Sequence, residues 1–215
     1  MINLGALLVV LGVILVSMIL HELAHGLVAY ALGDTTAKEE GRLSLNPIKH
    51  LDPITSIIMP LALYIMGGPI FGGAKPVPVN SRRLKGGAWG MALVAIVGPL
   101  TNILLAFIFF LIGHFGGGLY DPGIIGDILR QMVLINLGFA VFNIIPIPPL
   151  DGSRVLYAIA PDGARNVMEQ IERTGGIWLI MILVVIFGSA LSTFMTGAIT
   201  NLFKFFYFII GVPVA

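Results

Sequence analysis

INLGALLVVLGVILVSMILHELAHGLVAYAL, residues 2–32, is a run of apolar side chains interrupted by His21, Glu22 and His25. About 20 apolar residues suffice for a helix to cross a hydrocarbon core of ~30 Å. At 1.5 Å per residue this run makes about 45 Å of helix, enough for a tilted span. Gly33-Asp34 then supplies a helix stop. The stretch has no basic n-region and no small-residue cleavage site, so it reads as a retained span and not as a signal peptide.

The rest of the chain follows the same pattern. Of 215 residues, 57% are apolar and 11% charged, against about 25% charged in a soluble domain. Residues 131–150 and 174–203 carry no charge at all. The fold class is therefore an all-α polytopic membrane protein, with one membrane domain over residues 1–215. A net charge of +1 argues against nucleic acid as a partner. The absence of cysteine excludes disulfides, thiolate ligands and a cysteine nucleophile.

Beyond the first span, expected at about 2–32, come a charged loop with Lys38, Glu39, Glu40, Arg42 and Lys49, and a short apolar segment at about 54–71. A second basic loop follows, with Lys75, Arg82, Arg83 and Lys85. Residues 72–80 within it are too rich in Gly and Pro for helix and suit an extended edge strand. Further spans are expected at about 88–112, 128–147 and 176–195, with a last apolar segment at about 198–212. The linker 114–127 holds two aspartates and no Lys or Arg, which by the positive-inside rule faces it away from the cytoplasm. Both basic loops then face the cytoplasm, and 54–71 between them is expected to be re-entrant or interfacial. The first helix runs inward, with His21–His25 in its cytoplasmic half.

His21-Glu22-Leu23-Ala24-His25 has the spacing of a helical zinc site. Positions i and i+4 differ by about 40° around a helix, so two imidazoles reach one ion. The glutamate beside the first is offset by about 100°, off the metal axis but placed to hold a metal-bound water. An ionisable group in a span is costly and usually marks a site, and three within five residues need a compensating charge. Catalytic zinc takes three protein ligands and keeps a fourth position open. Asp151 is the best third ligand, since it follows a charge-free span and the prolines 146, 148 and 149 that end its helix. Backbone freed in this way within a membrane lines a cavity or finds partners inside the protein. His50 and His114 are read as loop and interface residues. Asn143 is a candidate for substrate or oxyanion contact, and Asn102 a weaker one that an interhelical hydrogen bond explains as well.

In these motifs the chain resembles the site-2 protease family of intramembrane zinc metalloproteases, in a minimal form without PDZ or CBS domain. His21-Glu22-Leu23-Ala24-His25 is followed by Gly98-Pro99-Leu100-Thr101-Asn102, then by Asn143 and Pro146 leading into Leu150-Asp151-Gly152. The resemblance implies one Zn2+ per chain on His21, His25 and Asp151, with Glu22 as catalytic base. It also implies a small membrane-associated strand region near 72–80, an active site open to the cytosol and a multi-pass location in a prokaryotic cell membrane. The expected activity is hydrolysis of peptide bonds in transmembrane helices of membrane-protein substrates, in contact with the lipid bilayer. The rival is a zinc-binding, catalytically silent scaffold or chaperone for transmembrane helices, which has no need of Glu22.

Overall fold

A computed structural model describes residues 4–58 and 75–212, with Leu61 and Ile65 between them. The chain is a multi-pass membrane protein: four helices among the described residues are long and apolar enough to cross a bilayer. The first, α1 (Leu4–Ala31), ends where Gly33 takes a positive φ of 101°. The short α2 (Thr36–Glu39) and a 3-10 turn at Pro47–Lys49 follow. The second long helix, α3 (Gly87–Phe115), leaves a left-handed Gly86 and carries Pro99 in its interior. α4 (Ile124–Asn143) ends before the prolines, and turns over 144–150 lead to the nine-residue α5 (Asp151–Ile159). α6 (Asp162–Ile209) closes the chain, with non-helical backbone at Gly175 and Phe187.

α3 is the hub, packed against α1, α4 and α5. Ala106 and Phe110 of α3, Val133 and Leu137 of α4 and Phe206 of α6 form the core at one end of the bundle. Ala29, Leu84 and Val94 close the other end. The large side chains left exposed along the spans, such as Leu8, Leu93, Leu104, Val185 and Phe208, face where lipid would lie.

Several boundaries differ from expectation. The span expected at 128–147 is the helix Ile124–Asn143, because the prolines stop it four residues sooner. The segments expected separately at 176–195 and 198–212 belong to one helix; its breaks fall at Gly175 and Phe187, and nothing interrupts it near residue 197. The segment expected to be re-entrant at 54–71 starts within a π-helical turn, Pro53–Ile58, and the remainder lies almost wholly outside the described residues. Of the strand expected at 72–80, residues 72–74 lie outside the described residues and 75–80 has no regular structure; no strand occurs among the described residues. Prolines 76 and 78 remove alternate backbone donors from any ladder there.

Side chains hold this strap (residues 75–80) instead. Arg42 Nη2 donates to the carbonyls of Lys75 (2.7 Å) and Pro76 (3.2 Å). The Lys75 N–H donates to the His50 carbonyl, and the Asn80 N–H donates to Asp34 Oδ2 at 2.6 Å. Asp34 Oδ1 takes both the N–H and the hydroxyl of Thr36. Burial works to raise the Asp34 pKa, but the Thr36 hydroxyl, the N–H groups of Asn80 and Thr36, and nearby Arg83 outweigh it and lower the value.

Asp34→Ala therefore should cost about 1–3 kcal/mol at neutral pH, because it strands buried donors. Because the folded pKa is depressed, this contribution is complete well above the ordinary aspartate value of about 3.9. It is lost as pH falls through that value and on through the folded one. Thermal unfolding in detergent should show wild type and Asp34→Ala well apart at neutral pH and converging in strong acid.

Candidate metal centre

His21 and His25 sit one turn apart in the middle of α1, both buried, their rings 4.5 Å apart and nearly perpendicular. The turn after α4 delivers Asp151 to the same place. Its Oδ2 lies 3.2 Å from His21 Nε2 and 3.4 Å from His25 Nε2, and the two Nε2 atoms are 2.9 Å apart. These three side chains are the only cluster among the described residues in which His, Cys, Asp or Glu groups could share a metal ion. The other histidines lie elsewhere: His50 Nε2 donates to the Ser44 carbonyl, and His114 stacks among Phe110, Tyr120 and Tyr207.

What faces the centre of this cluster follows from what holds its far side. His25 Nδ1 is 2.7 Å from the Val94 carbonyl, which can only accept, so Nδ1 carries the proton. For His21 the same conclusion passes through two amides. The Met132 carbonyl takes a hydrogen bond from Asn136 Nδ2, which fixes which end of that amide is nitrogen. Asn136 Nδ2 also donates to Ser17 Oγ, and Asn136 Oδ1 accepts from Asn102 Nδ2 at 2.8 Å. Asn102 Oδ1 is thereby turned to His21 Nδ1, 2.6 Å away, and Nδ1 must donate. In the neutral rings both Nε2 atoms are then bare lone pairs, pointed at each other and at a carboxylate oxygen.

Three acceptors held this close in a buried place repel one another unless a cation lies between them. Asp151 Oδ2 is buried and receives no hydrogen bond. A triangle with sides of 2.9, 3.2 and 3.4 Å has its centre about 1.8 Å from each corner. That spacing fits the ligand distances of zinc, about 2.0–2.2 Å, so these three side chains could hold one such ion. The donor set, two neutral imidazoles and a carboxylate with an outer shell fixing the ring tautomers, is that of a catalytic metal site.

Glu22 lies beside the cluster. Its Oε2 accepts the Val77 N–H of the strap at 2.7 Å. Asn102, expected with Asn143 on the substrate side, is fully buried with its oxygen on His21 and its nitrogen on Asn136. It supports a ring from a fully buried position. Asn143 caps the end of α4 just before the turn to Asp151, its Nδ2 on the Phe139 carbonyl. Sequence reasoning missed Asn136 and Ser17, although a polar side chain within a charge-free span was the signal that singled out Asn102.

Two glycines permit these approaches. A Cβ on Gly98 of α3 would stand 2.5 Å from His21 Cε1 and from His25 Cε1 and Nε2, so the histidine pair packs on bare backbone. A Cβ on Gly152 would collide with the Ile144 carbonyl oxygen and open the turn that presents Asp151.

Comparison with known proteins gives the family. Residues 119–188 match the profile of Peptidase family M50. Over 182 residues the chain is 41% identical to "Putative zinc metalloprotease YwhC" of Bacillus subtilis (strain 168), covering 82% of this chain and 80% of that protein. The chain belongs to peptidase family M50. Another relative, "Putative zinc metalloprotease Rip2" of Mycolicibacterium smegmatis, is 26% identical over 84% of this chain and 68% of its own length. A shorter match, 50% identical over 66 residues, is to "Putative zinc metalloprotease MJ0611" of Methanocaldococcus jannaschii, covering 29% of this chain and 31% of that protein. No solved structure matches the chain significantly.

Gly98→Ala should force α3 away from the histidine pair. An overpacking cost of about 1–3 kcal/mol is expected, read as a lower unfolding temperature in detergent. Gly188→Ala, at a site with open space around it, should show no such drop.

Proposed function

We propose that this chain is an intramembrane zinc metalloprotease that hydrolyses peptide bonds in transmembrane helices of membrane-protein substrates. The observation that carries the reading is the trio of inward-facing acceptors, His21 Nε2, His25 Nε2 and Asp151 Oδ2, with a carboxylate beside it. These three side chains would hold one zinc ion. Zinc, when bound, supplies a Lewis acid that polarises the scissile carbonyl and brings the pKa of a water down to about 7.

Glu22 serves as general base and then general acid: it takes a proton from the attacking water and hands it to the leaving amine. The Val77 N–H holds Oε2 and so orients the carboxylate, leaving Oε1 to exchange the proton. Asn102, Asn136 and Ser17 keep His21 in the tautomer that ligates. Asn143, at the mouth of the turn carrying Asp151, is placed to contact the substrate backbone near the scissile bond.

A helical substrate must unwind before its carbonyl is reachable, and its freed backbone groups then need partners. The Val79 N–H and the carbonyls of Val77 and Val79 have none among the described residues. They are available for pairing with an extended peptide. Ten of the twelve Lys and Arg residues lie in the loops, the short helices and the part of α6 before Gly175, at the end of the bundle that the strap covers. By the positive-inside rule that end is cytoplasmic, and water reaches the site from there.

Glu22→Gln should keep its zinc and its fold yet cleave a reconstituted single-span substrate about 10²–10⁴-fold more slowly. Zinc content measured on the same preparation separates loss of base from loss of metal. Cleavage at the wild-type rate by Glu22→Gln would end the mechanism, and a wild type that captures such helices without cutting them would point to a scaffold. Val77→Pro, which deletes the N–H on Glu22, should lower kcat about 2–10-fold relative to Val77→Ala, which loses the same buried side chain but keeps that hydrogen bond. Its zinc content should be unchanged.

A further inference from the structure

A second cavity, of about 690 Å³, opens at the end of the bundle that carries the basic loops, away from His21 and Asp151. Arg82 of the loop before α3, Arg154 of α5, and Arg165 and Arg173 of α6 line it, together with Glu169 and Glu172. The two carboxylates are already engaged. Glu172 pairs with Arg154 at 2.8 Å; Glu169 accepts the Tyr157 hydroxyl and lies 3.7 Å from Arg173. Arg165 donates to the carbonyls of Tyr157 and Ala158 at the end of α5, which fixes its guanidinium, and lies 3.5 Å from Asp162. The Arg82 side chain has no partner among the described residues. Four arginines against Glu169, Glu172 and the adjacent Asp162 leave one positive charge over, at Arg82.

The depth of the cavity limits what fills it. Gly87, Ala88 and Met91 also line it, and they belong to the first turns of the span α3. The arginines therefore share the cavity with the end of a membrane span, which is where a bilayer's phosphates lie. A guanidinium cluster matches the oxygens of a phosphate, and basic pockets between spans at this level hold lipid headgroups. A ligand with a phosphate above and an apolar body below fits both halves of the lining. We propose that this cavity is a binding site for the phosphate of an anionic phospholipid.

Purified protein in a neutral detergent, titrated with short-chain phosphatidylglycerol and followed by native mass spectrometry, tests this directly and needs no protease activity. Phosphatidylglycerol should bind, and phosphatidylcholine, whose headgroup carries no net charge, should bind at least tenfold more weakly. Arg82→Ala with Arg173→Ala removes two charges without touching the pairs that brace α5 and α6. That double variant should bind phosphatidylglycerol about 10–30-fold more weakly, at roughly a factor of five per arginine near the surface. Glu169→Gln, which keeps an acceptor for Tyr157 but removes a negative charge, should bind it more tightly. Equal binding of the two lipids, or an unchanged affinity in the double variant, would overturn the proposal. A third arm uses inorganic phosphate. If phosphate alone competes with the lipid at equal concentration, the site is one for free anions and the headgroup assignment fails.

Discussion

Three acceptors that repel one another are pressed together between the spans, and much of the surrounding structure exists to keep them there. His21 Nε2, His25 Nε2 and Asp151 Oδ2 lie within 3.4 Å of each other. Left alone they would separate, because bare lone pairs and a carboxylate in a place of low dielectric gain nothing from proximity. Each is instead restrained from behind: His21 by Asn102, His25 by the Val94 carbonyl, Asp151 by a turn closed over Gly152. The folding energy of the bundle thus maintains an arrangement that a positive charge at its centre, a proton or a metal ion, would relieve.

That role falls mostly on α3. It brings Gly98 against the rings, Val94 to one imidazole and Asn102 to the other, all from about two turns of helix. Asn136 of α4 and Ser17 of α1 complete the chain of amides, so three spans meet in one hydrogen-bonded line. In hydrocarbon a half-satisfied network would be worse than none. The Met132 carbonyl is its anchor. A backbone acceptor in a helix cannot flip, and its fixed polarity passes through two amides to a histidine more than 100 positions earlier in the chain.

The helical histidine pair was legible because its geometry is local: four residues on one helix set the azimuths whatever the rest of the chain does. Asp151 was legible through an indirect local signal, prolines ending a helix inside an apolar region. Asn136 and Ser17 were not, because a polar side chain in a span announces that it needs a partner without naming one, and their partners sit on other helices. Val77 gave no signal at all, since its contribution is a backbone N–H. The ends of the spans moved for another reason. Hydropathy reports where lipid can be, whereas Pro146 and Gly175 decide where helical backbone stops, and residues 196–199 continue α6 because nothing there breaks it.

The strap joins these levels. In Pro76-Val77-Pro78-Val79-Asn80 the prolines leave only three backbone donors. Two are committed to carboxylates, Val77 to Glu22 within α1 and Asn80 to Asp34 just past its end. A segment so poor in donors cannot be held by a sheet ladder, so acids from a neighbouring helix hold it. Consequently the carboxylate beside the metal centre and the strap over it position each other. Asp34 and Arg42 fix the strap at either end, and their grip sets where the Val77 N–H meets Glu22. Loosening Asp34 should therefore be felt at Glu22 although no bond joins the two side chains, because the strap between them is short and stiffened by proline.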